Sequence, residues 1–226
     1  MFKECLDNVR AKTPLIHNIT NYVTVNDCAN TLLACGGSPI MSDDEGEVEE
    51  ITAICGGLNI NIGTLNKNTI PSMFLAGKKA NSLRHPVILD PVGAGASSLR
   101  TDTATLLLKE VDFAVIRGNI SEMKALALGS GTTKGVDADV SDAVTEQTLA
   151  NAVAFAKSFS ERTGSVIAVT GAIDIVADKN MAYAIRNGHP MMAKITGTGC
   201  MLSAMVAAYI TANPGNILCA TAARCV

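Results

Sequence analysis

The chain has 226 residues, 48% of them apolar and 17% charged, with mean hydropathy +0.27. That suits one α/β domain with a large core, is short for two, and argues against disorder along most of its length. A net charge of −3 and 4% aromatics without Trp exclude a basic nucleic-acid or anionic-membrane surface and a base-stacking platform.

In chain order, helices are expected over 3–10, 21–35, 44–55, 67–83, 101–110, 120–127, 142–162, 199–212 and 215–225. Strands are expected at Leu15–Ile19, Pro39–Met41, Leu58–Ile62, Val87–Asp90, Phe113–Arg117, Val166–Thr170, Ile173–Ala177, Ala182–Arg186 and Met191–Lys194. Runs such as Val87-Ile88-Leu89 and Val166-Ile167-Ala168-Val169 are apolar at every position, as strands covered on both faces are. The alternation predicts a mostly parallel sheet with helices on both sides, mixed between 166 and 194, where the strands lie too close for crossovers. Ser42-Asp43-Asp44-Glu45 reads as a capping box opening the 44–55 helix. The acids around it read as a solvated first turn rather than a metal site. Ser141 and Thr163 are candidate punctuation for the 142–162 helix.

The seven cysteines are odd in number, lack C-x-x-C spacing and sit mostly among apolar residues. They suit reduced, buried thiols in a cytoplasmic protein better than disulfides or zinc. No apolar run reaches a membrane-spanning length of ~18 residues, and the charged N-terminus does not read as a signal peptide. The sequence stops at Ala220–Val226 in a mid-helix pattern with no Gly or Pro stop.

Three segments carry chemistry. Gly197-Thr198-Gly199-Cys200 opens directly into an apolar helix, where unpaired amides and the helix dipole would make an anion hole. The alternative is a tight turn into a core helix. Cys200, at that helix start, is either a nucleophile or base with lowered pKa or a small buried residue. Asp90 ends a buried strand, where α/β proteins bind ligands, and either serves Mg²⁺ or a proton or caps a turn. Arg117-Gly118-Asn119-Ile120-Ser121-Glu122 offers a phosphate partner in Arg117 and an Asn–Glu pair on one face of a first helical turn. That pair suits hydrated Mg²⁺ or is itself a cap. Gly93-Ala94-Gly95 with Asp112 only partly matches a dinucleotide fingerprint, Gly129–Lys134 lacks the Walker A order, and His17 reads as structural.

Taken together with Thr13–Val23, Gly36–Met41, Asn61–Leu65, Asp90–Ala94 and Val169–Gly171, these segments resemble the hydroxyethylthiazole kinase family of the ribokinase-like superfamily. The resemblance covers nearly all the chain. It implies a three-layer α/β/α sandwich, ATP and Mg²⁺, and phosphorylation of 4-methyl-5-(2-hydroxyethyl)thiazole in thiamine salvage by a homotrimer with pockets between subunits. It implies that Asn21, Val23, Met41 (through its N–H), Gly63, Thr64 and Gly197 line the substrate pocket. Arg117 and Thr170 would contact ATP, Asp90 and Glu122 the Mg²⁺–phosphate region. Gly197, Thr198, Gly199 and Cys200 would form the catalytic turn. Cys200 stands where most of the superfamily has an Asp general base, as is usual in this family. Family members run on for tens of residues, so 1–226 is expected to be a single kinase domain lacking its C-terminal helical end. Competing expectations are a sibling kinase for a hydroxymethylpyrimidine, an inactive thiazole-binding homologue and, more remotely, a dinucleotide oxidoreductase.

Overall fold

The computed structural model describes residues 1–128 and 143–225. Its elements run α1 (Phe2–Lys12), β1 (Leu15–Ile19), α2 (Val25–Cys35), β2 (Ser38–Met41), α3 (Val48–Ile54), β3 (Gly57–Asn61), α4 (Thr69–Ser82), β4 (Val87–Asp90), α5 (Ser98–Glu110), β5 (Val115–Asn119), α6 (Ile120–Leu128), α7 (Leu149–Thr163), β6 (Val166–Thr170), β7 (Asp174–Ala177), β8 (Ala182–Ile185), α8 (Thr198–Ala212) and α9 (Ile217–Cys225). The eight strands form one sheet in the order β2-β1-β3-β4-β5-β6-β7-β8. Pairing is parallel from β2 to β6 and antiparallel for β6–β7 and β7–β8, as the spacing predicts.

Successive strand residues point to opposite faces, so each strand feeds two cores. Leu58, Ile60, Val87 and Leu89 pack with α4 and α5 residues such as Met73 and Leu107. Ile16, Ile88, Val115 and Ala168 face α1, α2, α8 and α9. Ala204, Ala207, Ala208 and Ala212 are buried, and their small side chains let α8 lie close across β1, β3 and β4. This makes three layers, helices–sheet–helices. Every parallel strand ends at the same edge, where the three chemical segments fall.

Three expectations change. Met191–Lys194 is not a strand but a 3-10 helix, Pro190–Lys194. Pro190 sits at its start, where a missing N–H costs nothing, and the His189 ring accepts from the Met191 amide. Ser42 opens no helix. It is fixed at the end of β2, its carbonyl bonded to His17 and its hydroxyl donating to Glu47, so α3 starts only at Val48. Helix α2 starts at Val25, not 21, because Asn21 and Thr24 belong to the site below.

The acids at 43–50 mostly face solvent, and among the described residues no group of three or more potential ligands could hold a metal ion. His17 is buried and structural: its Nε2–H donates to the Ser42 carbonyl, and the Thr52 hydroxyl reaches Nδ1. All seven cysteines are free thiols, six of them buried. Residues 129–134, Ser141 and the first residue of the expected 142–162 helix lie outside the described residues; from Leu149 that helix is present.

Candidate active site

The site begins with the start of α8. Gly197 is its N-cap at φ 81°, a left-handed conformation that favours glycine. A side chain there would strike Thr24, its Cβ running into Cγ2. Among the described residues, the amides of Thr198, Gly199 and Cys200 donate to no acceptor in the protein. Thr198 and Gly199 line a cavity of about 690 Å³ together with Arg117, Thr170, Met192 and Arg224. The turn is thus not closed by bonds within the protein, and its amides are free to meet an anion.

Arg117 reaches it from β5. Its guanidinium nitrogens would lie 2.5 and 2.6 Å from a Cβ on Gly199, so only glycine lets them pack against these amides. One nitrogen donates to Thr170 at the end of β6 (2.7 Å), another meets Asp90 at a loose 3.5 Å, and Nε has no partner. Burial opposes the Arg117 charge, but Asp90 and Glu122 outweigh it and raise its pKa. A buried cation with spare donors on a cavity wall is built for an anion.

Asp90, fully buried at the end of β4, is the centre of a polar network. Its Oδ2 accepts from Asn61 and from Ser203, both at 2.8 Å, while Oδ1 has no partner. Burial raises its pKa, and Arg117, Ser203 and Asn61 pull it back. Asn21 Nδ2 donates to Asn61 (3.2 Å) and to Cys200 Sγ (3.0 Å), and its oxygen accepts from Thr24. The chain of bonds therefore runs from Thr170 through Arg117, Asp90 and Asn61 to Asn21 and Cys200.

Cys200 fits the second of its two readings, a small buried residue. Burial, reinforced by the charge of Asp90, raises its pKa, against the pull of Asn61, Thr24 and Asn21. It stays a thiol near neutrality. Glu122 takes the capping one of its two expected roles. Its oxygens accept from Gly93 N (2.9 Å) and Asn119 N (2.8 Å), while Asn119 caps Glu122 N in return. Burial first, then Asp90, pushes its pKa to about 7. The dinucleotide reading of Gly93–Ser98 fails on the same geometry. The amides of Gly93, Ala94, Gly95 and Ala96 are all taken by protein acceptors and have none left for a pyrophosphate.

The expected acceptor residues converge only in part. Gly63, after β3, approaches Asn21 so closely that a Cβ would lie 2.9 Å from Asn21 Cβ, and Thr64 Oγ1 accepts from Tyr22 N. Met41 ends the neighbouring edge strand. Ser38 N and Ser42 N both turn toward β1, so by strand alternation the intervening Met41 N–H faces the open sheet edge. Val23 is 67% exposed. Sequence reasoning missed Asn61, Ser203 and Thr24. Only Asn61 left a signal, a polar side chain at the end of a strand that is buried at every position.

Comparison with known proteins gives the family and the fold. The family model described as "Hydroxyethylthiazole kinase family" matches residues 6–226. The hydroxyethylthiazole kinase of Clostridium acetobutylicum is 71% identical over 223 residues, covering 99% of this chain and 82% of that protein. The one from Desulfovibrio desulfuricans is 54% identical, covering 99% and 80%. The structure of the Pyrococcus horikoshii hydroxyethylthiazole kinase superposes with TM-score 0.88 at 36% identity, covering 99% of this chain and 80% of that one. Bacillus subtilis pyridoxal kinase, at 16% identity, TM-score 0.65 and coverage of 93% and 88%, shares the fold. By sequence and architecture alike, this chain belongs to the hydroxyethylthiazole kinase family.

Proposed function

We propose that this protein transfers the γ-phosphoryl group of ATP to the primary alcohol of 4-methyl-5-(2-hydroxyethyl)thiazole, a thiamine-salvage step. The observation that carries the reading is the set of unbonded amides of Thr198, Gly199 and Cys200 beside the Arg117 guanidinium. In the reaction the bond from the γ-phosphorus to its bridging oxygen breaks and ADP leaves. A bond to the alcohol oxygen forms in line with it. Charge spreads over the oxygens of the moving group, and catalysis is mainly positioning and electrostatics. Those amides and Arg117 meet that charge, and Thr170 holds Arg117 in place. Asn21, Val23, Met41, Gly63, Thr64 and Gly197 form the acceptor side. A loose transition state needs little early proton removal. Cys200, a neutral thiol tied to Asn21, therefore acts by position, and the alcohol proton leaves late.

Asp90 and Glu122 fit Mg²⁺ arriving with the nucleotide. Asp90 keeps an unpaired buried oxygen, and Glu122 carries an unfavourable negative charge that a cation relieves. Magnesium binds typically through one or two carboxylates, phosphate oxygens and water, and supplies charge neutralisation on the transferring phosphates. Among the described residues no helix is long and apolar enough to cross a membrane. We place the enzyme in the cytoplasm, where free thiols persist. The open β2 edge with an outward Met41 amide leaves the acceptor pocket incomplete in one copy, which suits a homotrimer sharing pockets between subunits.

The test is ADP release with a panel of thiazole and pyrimidine alcohols, with light scattering for mass. Turnover with the thiazole alcohol and a mass three times that of the chain are expected. Turnover with a hydroxymethylpyrimidine alone overturns the substrate assignment. A thermal shift by the thiazole without ADP release makes the protein a binding homologue.

A further inference from the structure

Arg100 stands outside every role assigned so far, and its surroundings are unusual. It lies in the first turn of α5, where the helix dipole disfavours a cation, and that turn carries no acid. Its guanidinium is turned away from the helix. One nitrogen donates to the Val92 carbonyl and another to the Gly63 carbonyl, each at 2.7 Å. These carbonyls belong to two loops, one leaving β3 and one leaving β4. Gly93, at φ 75°, makes room for the clamp: a Cβ there would lie 2.8 Å from a guanidinium nitrogen. Among the described residues Arg100 pairs with no carboxylate.

The two loops have different tasks. Gly63 touches Asn21 on the acceptor side, and the Gly93 amide holds the Glu122 carboxylate on the phosphate side. We propose that Arg100 is a positioning residue that fixes the distance between the acceptor-alcohol loop and the phosphate-side loop, and so couples phosphoryl transfer to the alcohol rather than to water. Its flat fork reaches both carbonyls at once; a lysine ammonium has the charge but not the span. The activity part of this inference rests on the phosphotransfer reading above, whereas the clamp itself does not.

Arg100→Lys and Arg100→Met are compared with the unaltered protein by two measurements. The first follows ADP released and phosphorylated thiazole formed, with KM for ATP. The expected result is a fall in kcat on the order of 10²-fold for Arg100→Met, as for a reacting group displaced by about 1 Å. Arg100→Lys falls in between. KM for ATP stays unchanged, and more than one ADP is released per alcohol phosphorylated. The second is amide hydrogen exchange, expected to quicken in segments 62–66 and 91–96 and not in 198–204. Unchanged kcat with one-to-one coupling in Arg100→Lys overturns the proposal, as does exchange that quickens evenly along the chain. Should Arg100→Met fail to fold, Arg100→Lys decides. Should the unaltered protein leave the thiazole alcohol untouched, the functional reading fails and the exchange pattern alone judges the clamp.

Discussion

Single atoms decide whether the start of α8 can work. Replacing Gly199 by Ala puts a methyl group 2.5–2.9 Å from the Arg117 guanidinium, which must shift from its place beside these amides and its bond to Thr170. On the mechanism proposed above, one of two electrostatic partners of the moving phosphoryl group is then displaced. Gly199→Ala is expected to lower kcat by on the order of 10²-fold, the cost of losing one such donor elsewhere. Circular dichroism should show a fold like the unaltered protein's, and steady-state kinetics checks the loss. Cys200→Asp asks the opposite question. An Asp there accepts from Asn21 as the thiol does and adds a base, so turnover is expected to hold or rise. A folded Cys200→Asp protein without activity would contradict the positioning role. The Gly-x-Gly turn was legible in the sequence because its requirement is local: small residues, then an apolar helix. Ser203 was not, because its bond to Asp90 spans 113 residues of chain and leaves no local pattern.

At the scale of elements, the strands with both faces covered were legible from apolar content alone, and so was the antiparallel end of the sheet. Met191–Lys194 was misread because two methionines beside an alanine look strand-like, while Pro190 and the His189 cap act before them. The edge strand β2 carries a sharper consequence. The Ser38 amide donates to Pro14, just before β1, and the Ser42 amide to Asn18 within it, so positions 39 and 41 turn their nitrogens outward, and position 39 is already a proline. Proline is tolerated at such edge positions because no ladder bond is lost. Met41→Pro therefore keeps the sheet but deletes the outward N–H. KM for the thiazole alcohol should rise about tenfold, the scale of one lost hydrogen bond, with KM for ATP unchanged. Equal changes in both constants would show a general distortion instead.

For the whole molecule, the site costs stability, and the cost depends on pH. The layered α/β plan was legible in the sequence. The cost of placing carboxylates 90 and 122 together under cover was not, because it arises only when the fold brings the end of β4 and the first turn of α6 near each other. Glu122 titrates near 7 in the fold, raised from 4.5 by burial and by Asp90. Below pH 4.5 it is protonated folded or unfolded and has no effect. Between pH 4.5 and 7 the unfolded chain ionises while the folded one holds its proton, so stability falls as pH rises, by at most roughly 3 kcal/mol, and then levels off. Asp90, also raised, acts in the same direction. His17 acts oppositely: burial lowers its pKa from 6.5, so its contribution is lost as pH falls below that value. The comparison of unaltered protein with Glu122→Gln isolates the first effect. Glutamine leaves one of the amides of Gly93 and Asn119 without an acceptor, a pH-independent loss of about 1–3 kcal/mol. Thermal unfolding from pH 4.5 to 7.5 should therefore give Glu122→Gln the lower Tm at acid pH, with the gap narrowing or reversing toward pH 7. Parallel Tm curves across that range would mean that Glu122 ionises in the fold as readily as in the open chain.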